Sequence, residues 1–163
     1  MRILGIDPGY SILGWAVIEH DLDIVAFGTI KTTSSSNIED KLLEIYISIK
    51  NIIEKYQPDC ASIEKLYFAK NTKTAIDVAK CAGVVLLTLN LAGLRLNEYS
   101  PLQVKRALTG YGRATKSQIQ KMIMDIFKIK KIPEPDDAAD ALAIAACHSF
   151  NLKNPINKFE VST

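Results

Sequence analysis

Hydrophobic and polar positions change period several times along the chain, and each change predicts an element. Arg2-Ile3-Leu4-Gly5-Ile6-Asp7 is an apolar run suited to a buried strand, closed by the turn residues Pro8-Gly9. Gly14–Glu19 and Asp23–Thr32 read as two further strands, and connections this short favour an antiparallel meander. Ser36 with Glu39 three residues later has the form of a capping box. The helix it opens carries Leu42, Ile45, Tyr46, Ile49, Ile52 and Ile53 at helical spacing and leaves Lys41, Glu44, Lys50, Asn51 and Lys55 for water. Pro58 ends it, and Cys60–Glu64 forms a short strand. A strand reached through a crossover helix is normally parallel to its partner.

Thr72–Leu91 is the longest helical stretch, and its second half is apolar nearly all round, as in a helix covered on both sides. After Gly93 comes a fifth strand, Leu94–Tyr99, then a short helix from Ser100-Pro101 and a loop at Gly110-Tyr111-Gly112-Arg113. Thr115 with Gln118 is a second capping box, and its helix buries Ile119, Met122, Ile123, Ile126 and Phe127. Pro133-Glu134-Pro135 stops that helix, and the last one begins at Asp136. These elements predict one α/β domain over residues 1–150, a five-stranded mixed sheet with helices on both faces, and a polar tail over 151–163 that frays.

Composition narrows the setting. A chain of 163 residues buries roughly 70% of its unfolded surface. No apolar run reaches the length of a membrane span and no signal peptide pattern opens the chain. Cys60, Cys81 and Cys147 lie far apart in apolar surroundings, as reduced core residues of a cytoplasmic protein do. Net charge is only +2, but between Lys105 and Lys131 eight basic residues face the single acid Asp125. Such a stretch suits a polyanion or forms a solvated helix face.

The candidate chemistry lies in four acids. Asp7 ends the first strand at the position where open α/β sheets place ligands, although Asp before Pro-Gly is also ordinary turn chemistry. Glu64 lands beside it if the fourth strand pairs with the first, although an acid after a strand is also commonly just an exposed residue. Asp137 and Asp140 share one helix face at i, i+3, among alanines small enough for close packing on the sheet. Like charges on a packed face are costly unless a cation sits between them. Oxygen ligands without His or Cys suit Mg²⁺, with Mn²⁺ as its substitute. Two such ions, about 3.5 to 4 Å apart, would activate water and stabilise the leaving oxygen in phosphodiester hydrolysis. Lys116, in the first turn of its helix, opposes the helix dipole, and with the free N–H groups it would make a phosphate site.

In this order, Gly5-Ile6-Asp7-Pro8-Gly9 with Gly14-Trp15, Ile63-Glu64 with Phe68-Ala69-Lys70-Asn71, Gln103-Val104-Lys105, Lys116-Ser117-Gln118 and Asp137-Ala138-Ala139-Asp140-Ala141-Leu142-Ala143 form a specific set. From Arg2 to about Phe150 the chain resembles the bacterial RuvC-type Holliday-junction resolvases of the ribonuclease H-like superfamily. The resemblance implies a homodimer that binds four-way junction DNA and, with Mg²⁺, makes symmetric nicks. It implies as partners the branch-migration motor proteins of the RuvA and RuvB type. It places the catalytic and metal-binding acids on Asp7, Glu64, Asp137 and Asp140, and some relatives carry His at the last position. The aromatic wedge at the junction falls on Tyr67 or its neighbour Phe68. DNA contacts extend to Lys70, Lys105, Arg106, Arg113 and Lys116. The competing readings are the phosphate loop of actin-like and sugar-kinase ATPases, a related nuclease acting on RNA or other branched DNA, and a junction-binding protein that does not cut.

Overall fold

The computed structural model describes residues 1–33, 37–66 and 72–153. Strands β1 (Arg2–Asp7), β2 (Ile12–Glu19) and β3 (Ile24–Lys31) form the meander, followed by helix α1 (Ile38–Tyr56), strand β4 (Cys60–Glu64), helix α2 (Thr72–Leu91) and strand β5 (Arg95–Tyr99). Helices α3 (Pro101–Thr109), α4 (Lys116–Phe127) and α5 (Asp136–Lys153) complete the fold. The sheet order is β3-β2-β1-β4-β5. Neighbours β1, β2 and β3 run antiparallel, whereas β4 lies parallel to both β1 and β5, as the crossover helices require.

Strand alternation sends successive side chains to opposite faces. Leu4, Ile6, Ala61 and Ile63 meet Ile45, Ile49, Cys81, Val85 and Leu89 of α1 and α2. On the other face Ile3, Ala16, Ile18 and Cys60 meet α3, α4 and α5. Helix α5 lies close against the sheet because its contact surface is Ala138, Ala141, Ala145 and Ala146, all buried. Two glycines make the approach possible. A Cβ on Gly5 would run into the Ala141 carbonyl oxygen and the Ala145 methyl, and one on Gly14 into the Asp137 carbonyl.

Two expectations at α1 are corrected. Its cap is Asn37, whose side-chain oxygen accepts the Asp40 N–H at 2.8 Å, so the helix starts one residue beyond a Ser36 cap. Asn37 offers the same side-chain acceptor at the same three-residue spacing. Ser36 itself lies outside the described residues. Lys41 is not left for water. Tyr10 covers it, with Nζ 4.1 Å from the ring centroid, and it is only 4% exposed. Helix α2 is apolar on its sheet side through Cys81, Val85 and Leu89, while Ile76, Leu87 and Leu91 face outward and are exposed. The proposed wedge residues Tyr67 and Phe68, with Lys70, lie outside the described residues, as does the tail beyond Lys153.

Candidate active site

The register of the sheet brings the first two acids together. Ile6 pairs with Ile63 in the parallel β1/β4 ladder, so Asp7 and Glu64 are the next residues out of two adjacent strand ends. Alternation turns both toward α5. The third source is the first two turns of α5, held near the end of β1 by Gly5 and Gly14. There Asp137 and Asp140 are partly exposed.

The electrostatics follow from this convergence. Burial, and then repulsion from Glu64, Asp140 and Asp137 in that order, pushes the Asp7 carboxyl up to about 7, against an opposing pull from Lys116. Glu64 is raised by burial and by Asp140, with Lys105 acting the other way. Burial also raises Asp140, opposed by Lys116 and reinforced by Asp136 and Asp137. Desolvation and like charge thus act together on three carboxyls, the pattern expected of a site built for a counter-charge.

A groove joins the acids to the basic stretch, lined by Glu64 and Asp140 together with Lys105, Lys116 and Gln120. Lys105 is half-buried beside Glu64, whereas Arg106, Arg113 and Lys116 are exposed. The α4 capping box forms as the sequence predicts: Thr115 accepts the Gln118 N–H, and the Gln118 side chain accepts the Thr115 N–H. One partner has no local sequence signal. Lys116 Nζ lies 2.6 Å from an Asp136 oxygen, and Gln120 Nε2 donates to the other Asp136 oxygen at 3.3 Å. This exposed pair answers the placement of a cation at a helix N-terminus, and it tethers α4 to the start of α5.

Among the described residues no group of three or more His, Cys, Asp or Glu side chains is placed to hold a metal ion as it stands. The acids that act on one another here are all carboxylates, without the nitrogen or sulfur ligands that would favour zinc. Oxygen donors of that kind suit Mg²⁺, which keeps several waters and shares phosphate oxygens with its substrate. The mutual repulsion at Asp7 gives a cation a reason to bind.

A mixed sheet in this order, with carboxylates at two strand ends and on a helix laid across them, defines a ribonuclease H-like nuclease fold. The family model described as crossover junction endodeoxyribonuclease RuvC matches residues 3–148, and the chain belongs to that family. It is 47% identical over 152 residues to the crossover junction endodeoxyribonuclease RuvC of Caldicellulosiruptor saccharolyticus, covering 91% of this chain and 92% of that protein. The structure of Thermus thermophilus RuvC in complex with Holliday junction substrate superimposes with a TM-score of 0.89 at 30% identity, covering 94% of this chain and 95% of the other. The yeast mitochondrial Holliday junction resolvase Ydc2 shares the fold, with a TM-score of 0.68 at 16% identity over 91% of this chain and 77% of its own.

Proposed function

We propose that this protein is a structure-selective endonuclease that resolves four-way DNA junctions in recombination and repair by paired, metal-dependent phosphodiester hydrolysis. The observation that carries the reading is the convergence of Asp7, Glu64 and Asp140 from three elements beside a basic groove, in a chain whose family match spans residues 3–148. Asp7, Glu64, Asp137 and Asp140 are the residues that would hold two Mg²⁺ ions, or Mn²⁺ in their place. Bound there, the ions supply Lewis-acid stabilisation to the attacking water and to the leaving oxygen.

The protein's own groups do the rest. Lys105 lies in the groove next to Glu64 and presents a positive charge where a scissile phosphate would approach. Lys116 and the α4 N-terminus offer a second phosphate contact, with Asp136 holding the lysine at the groove's edge until DNA displaces it. Arg106 and Arg113 extend the exposed positive surface, and Tyr67, Phe68 and Lys70 belong to the DNA-facing set by resemblance. The nuclease domain covers residues 1–150. A homodimer gives the two cuts their symmetry. The outward stripe of α2, with Leu87 58% and Leu91 69% exposed around the open position of Gly83, supports a second copy docking there. Motor proteins of the RuvA and RuvB type are the partners that would load such a dimer on a junction. Three free, buried cysteines agree with a cytoplasmic setting, and no helix among the described residues is long and apolar enough to cross a membrane.

The test is incubation of the protein and Mg²⁺ with a mobile four-way junction and with a linear duplex, with product ends mapped. Paired nicks at symmetry-related positions in the junction and an uncut duplex are expected. An intact junction, or equal cutting of both substrates, would reject the assignment.

A further inference from the structure

Behind the acids, the contact between β4 and α5 carries a row of buried polar groups, Cys60, Ser62 and His148. Cys60, Ser62 and Glu64 alternate onto the α5 side of β4, separated by two residues each, or about 6.6 Å. His148, Ile144 and Asp140 descend α5 at four-residue intervals, or about 6 Å. The two periods drift apart by only about 1 Å over two steps, so strand and helix meet rung by rung.

At the first rung Cys60 Sγ lies 3.5 Å from His148 Nε2. At the second, the Ser62 hydroxyl donates to the Ile144 carbonyl at 3.4 Å. The third rung is Glu64 and Asp140, which both line the groove and repel one another. A side branch completes the first: the Tyr99 hydroxyl is 2.8 Å from His148 Nδ1. Tyr99 is itself the register partner of Glu64 in the β4/β5 ladder, and its carbonyl accepts the Lys65 N–H at 2.8 Å. Cys60, Ser62, Tyr99 and His148 are all buried.

We propose that this polar ladder, made by Cys60, Ser62, His148 and Tyr99, sets the separation of Glu64 and Asp140, and that its members are positioning residues for the metal site. The need for it lies in the rest of the contact. The alanine methyls against Gly5 bring α5 close, but apolar attraction is non-directional, so directional bonds add a constraint on the helix's position along its axis. Hydrogen bonds are directional. Two rungs with matched spacing fix the slide, and the third rung inherits the register. Tyr99 fixes the neighbouring strand to the same helix residue.

This inference rests on the metal-dependent reading above, and its test separates the two. Mn²⁺ is titrated calorimetrically into the metal-free full-length protein, the Tyr99→Phe and Ser62→Ala variants, and their double variant. Junction affinity is measured in EDTA in parallel. Each substitution removes one polar atom with little change of shape. The double variant is expected to lose Mn²⁺ affinity on the order of tenfold, each single variant less, with junction affinity unchanged. Ile49→Val, in the opposite core, controls for general loss of stability and should bind Mn²⁺ as the wild type does. A double variant with wild-type Mn²⁺ affinity, or an equal loss in Ile49→Val, would overturn the ladder. A wild-type protein that takes up no Mn²⁺ and leaves the junction intact would instead overturn the metal-dependent reading.

Discussion

The two faces of the sheet are built on different rules. Against α1 and α2 the strands present Leu4, Ile6 and Ile63 to Ile45, Ile49 and Leu89, all at most 2% exposed. Large interdigitating aliphatics of this kind dominate stability. Against α5 the strands offer Gly5, Ser62 and two acids, beside Ile3, Ala16 and Ile18, to a run of alanines. The small residues there let the helix come close to the strands that carry Asp7 and Glu64. One face holds the fold, and the other holds a geometry.

The largest effect should come from the second face. Asp7→Asn keeps shape and removes charge, so junction cutting should fall at least about a thousandfold, roughly 4 kcal/mol of barrier, while junction binding in EDTA persists. Normal cutting by that variant would remove Asp7 from the site.

The same residue gives the metal-free protein an unusual pH dependence. The unfolded chain releases the Asp7 proton near 3.8, whereas the folded chain keeps it to about 7. Between those values the folded state binds more protons, so stability falls as pH rises and levels off above 7. The loss due to Asp7 is at most about 4 kcal/mol, and the raised Glu64 and Asp140 add to it in the same direction. Thermal midpoints in EDTA should therefore decline from pH 4 to 7, less steeply in Asp7→Asn, and Mg²⁺ should restore them. A flat profile, or an identical slope in the variant, would contradict the crowding of the acids.

Cutting into each face sharpens the contrast. Ile49→Ala should cost about 3 kcal/mol through its cavity, yet the folded fraction should cut junctions normally. Gly5→Ala should cost about 2 kcal/mol by overpacking against α5, and it should lower cutting by folded protein as well, since the acids ride on that helix. Equal effects of the two substitutions on cutting per folded molecule would erase the distinction. The smallest effect belongs to the rim of the groove. Lys116→Ala should reduce the slope of log affinity against log salt by about 1, and an unchanged slope would place the phosphate contact elsewhere.

Much of this architecture is legible in the chain, because the deciding signals are local. A charge directly after an apolar strand singles out Asp7 and Glu64 as candidates, and a carboxylate among alanines singles out Asp140, while their grouping into one site comes from the family resemblance. The Thr115/Gln118 capping box locates α4 to the residue. What escapes sequence reasoning depends on contacts between distant segments. Lys41 sits at a position that helical periodicity assigns to solvent, but Tyr10, from the loop after β1, closes over it. The Lys116–Asp136 pair joins residues twenty apart in the chain. Ser62 and His148 read as ordinary members of a strand and a helix. Only the docking of α5 on β4 puts the Ser62 hydroxyl against the Ile144 carbonyl and the His148 ring between Cys60 and Tyr99.

The most direct measurement is anomalous scattering from crystals of this protein grown with Mn²⁺. Density for the ion is expected between Asp7 and Glu64 on the strand ends and Asp140 on α5, with Ser62 still bonded to Ile144 behind it. Ions bound only elsewhere on the surface, with those three carboxylates turned apart, would contradict a shared metal site.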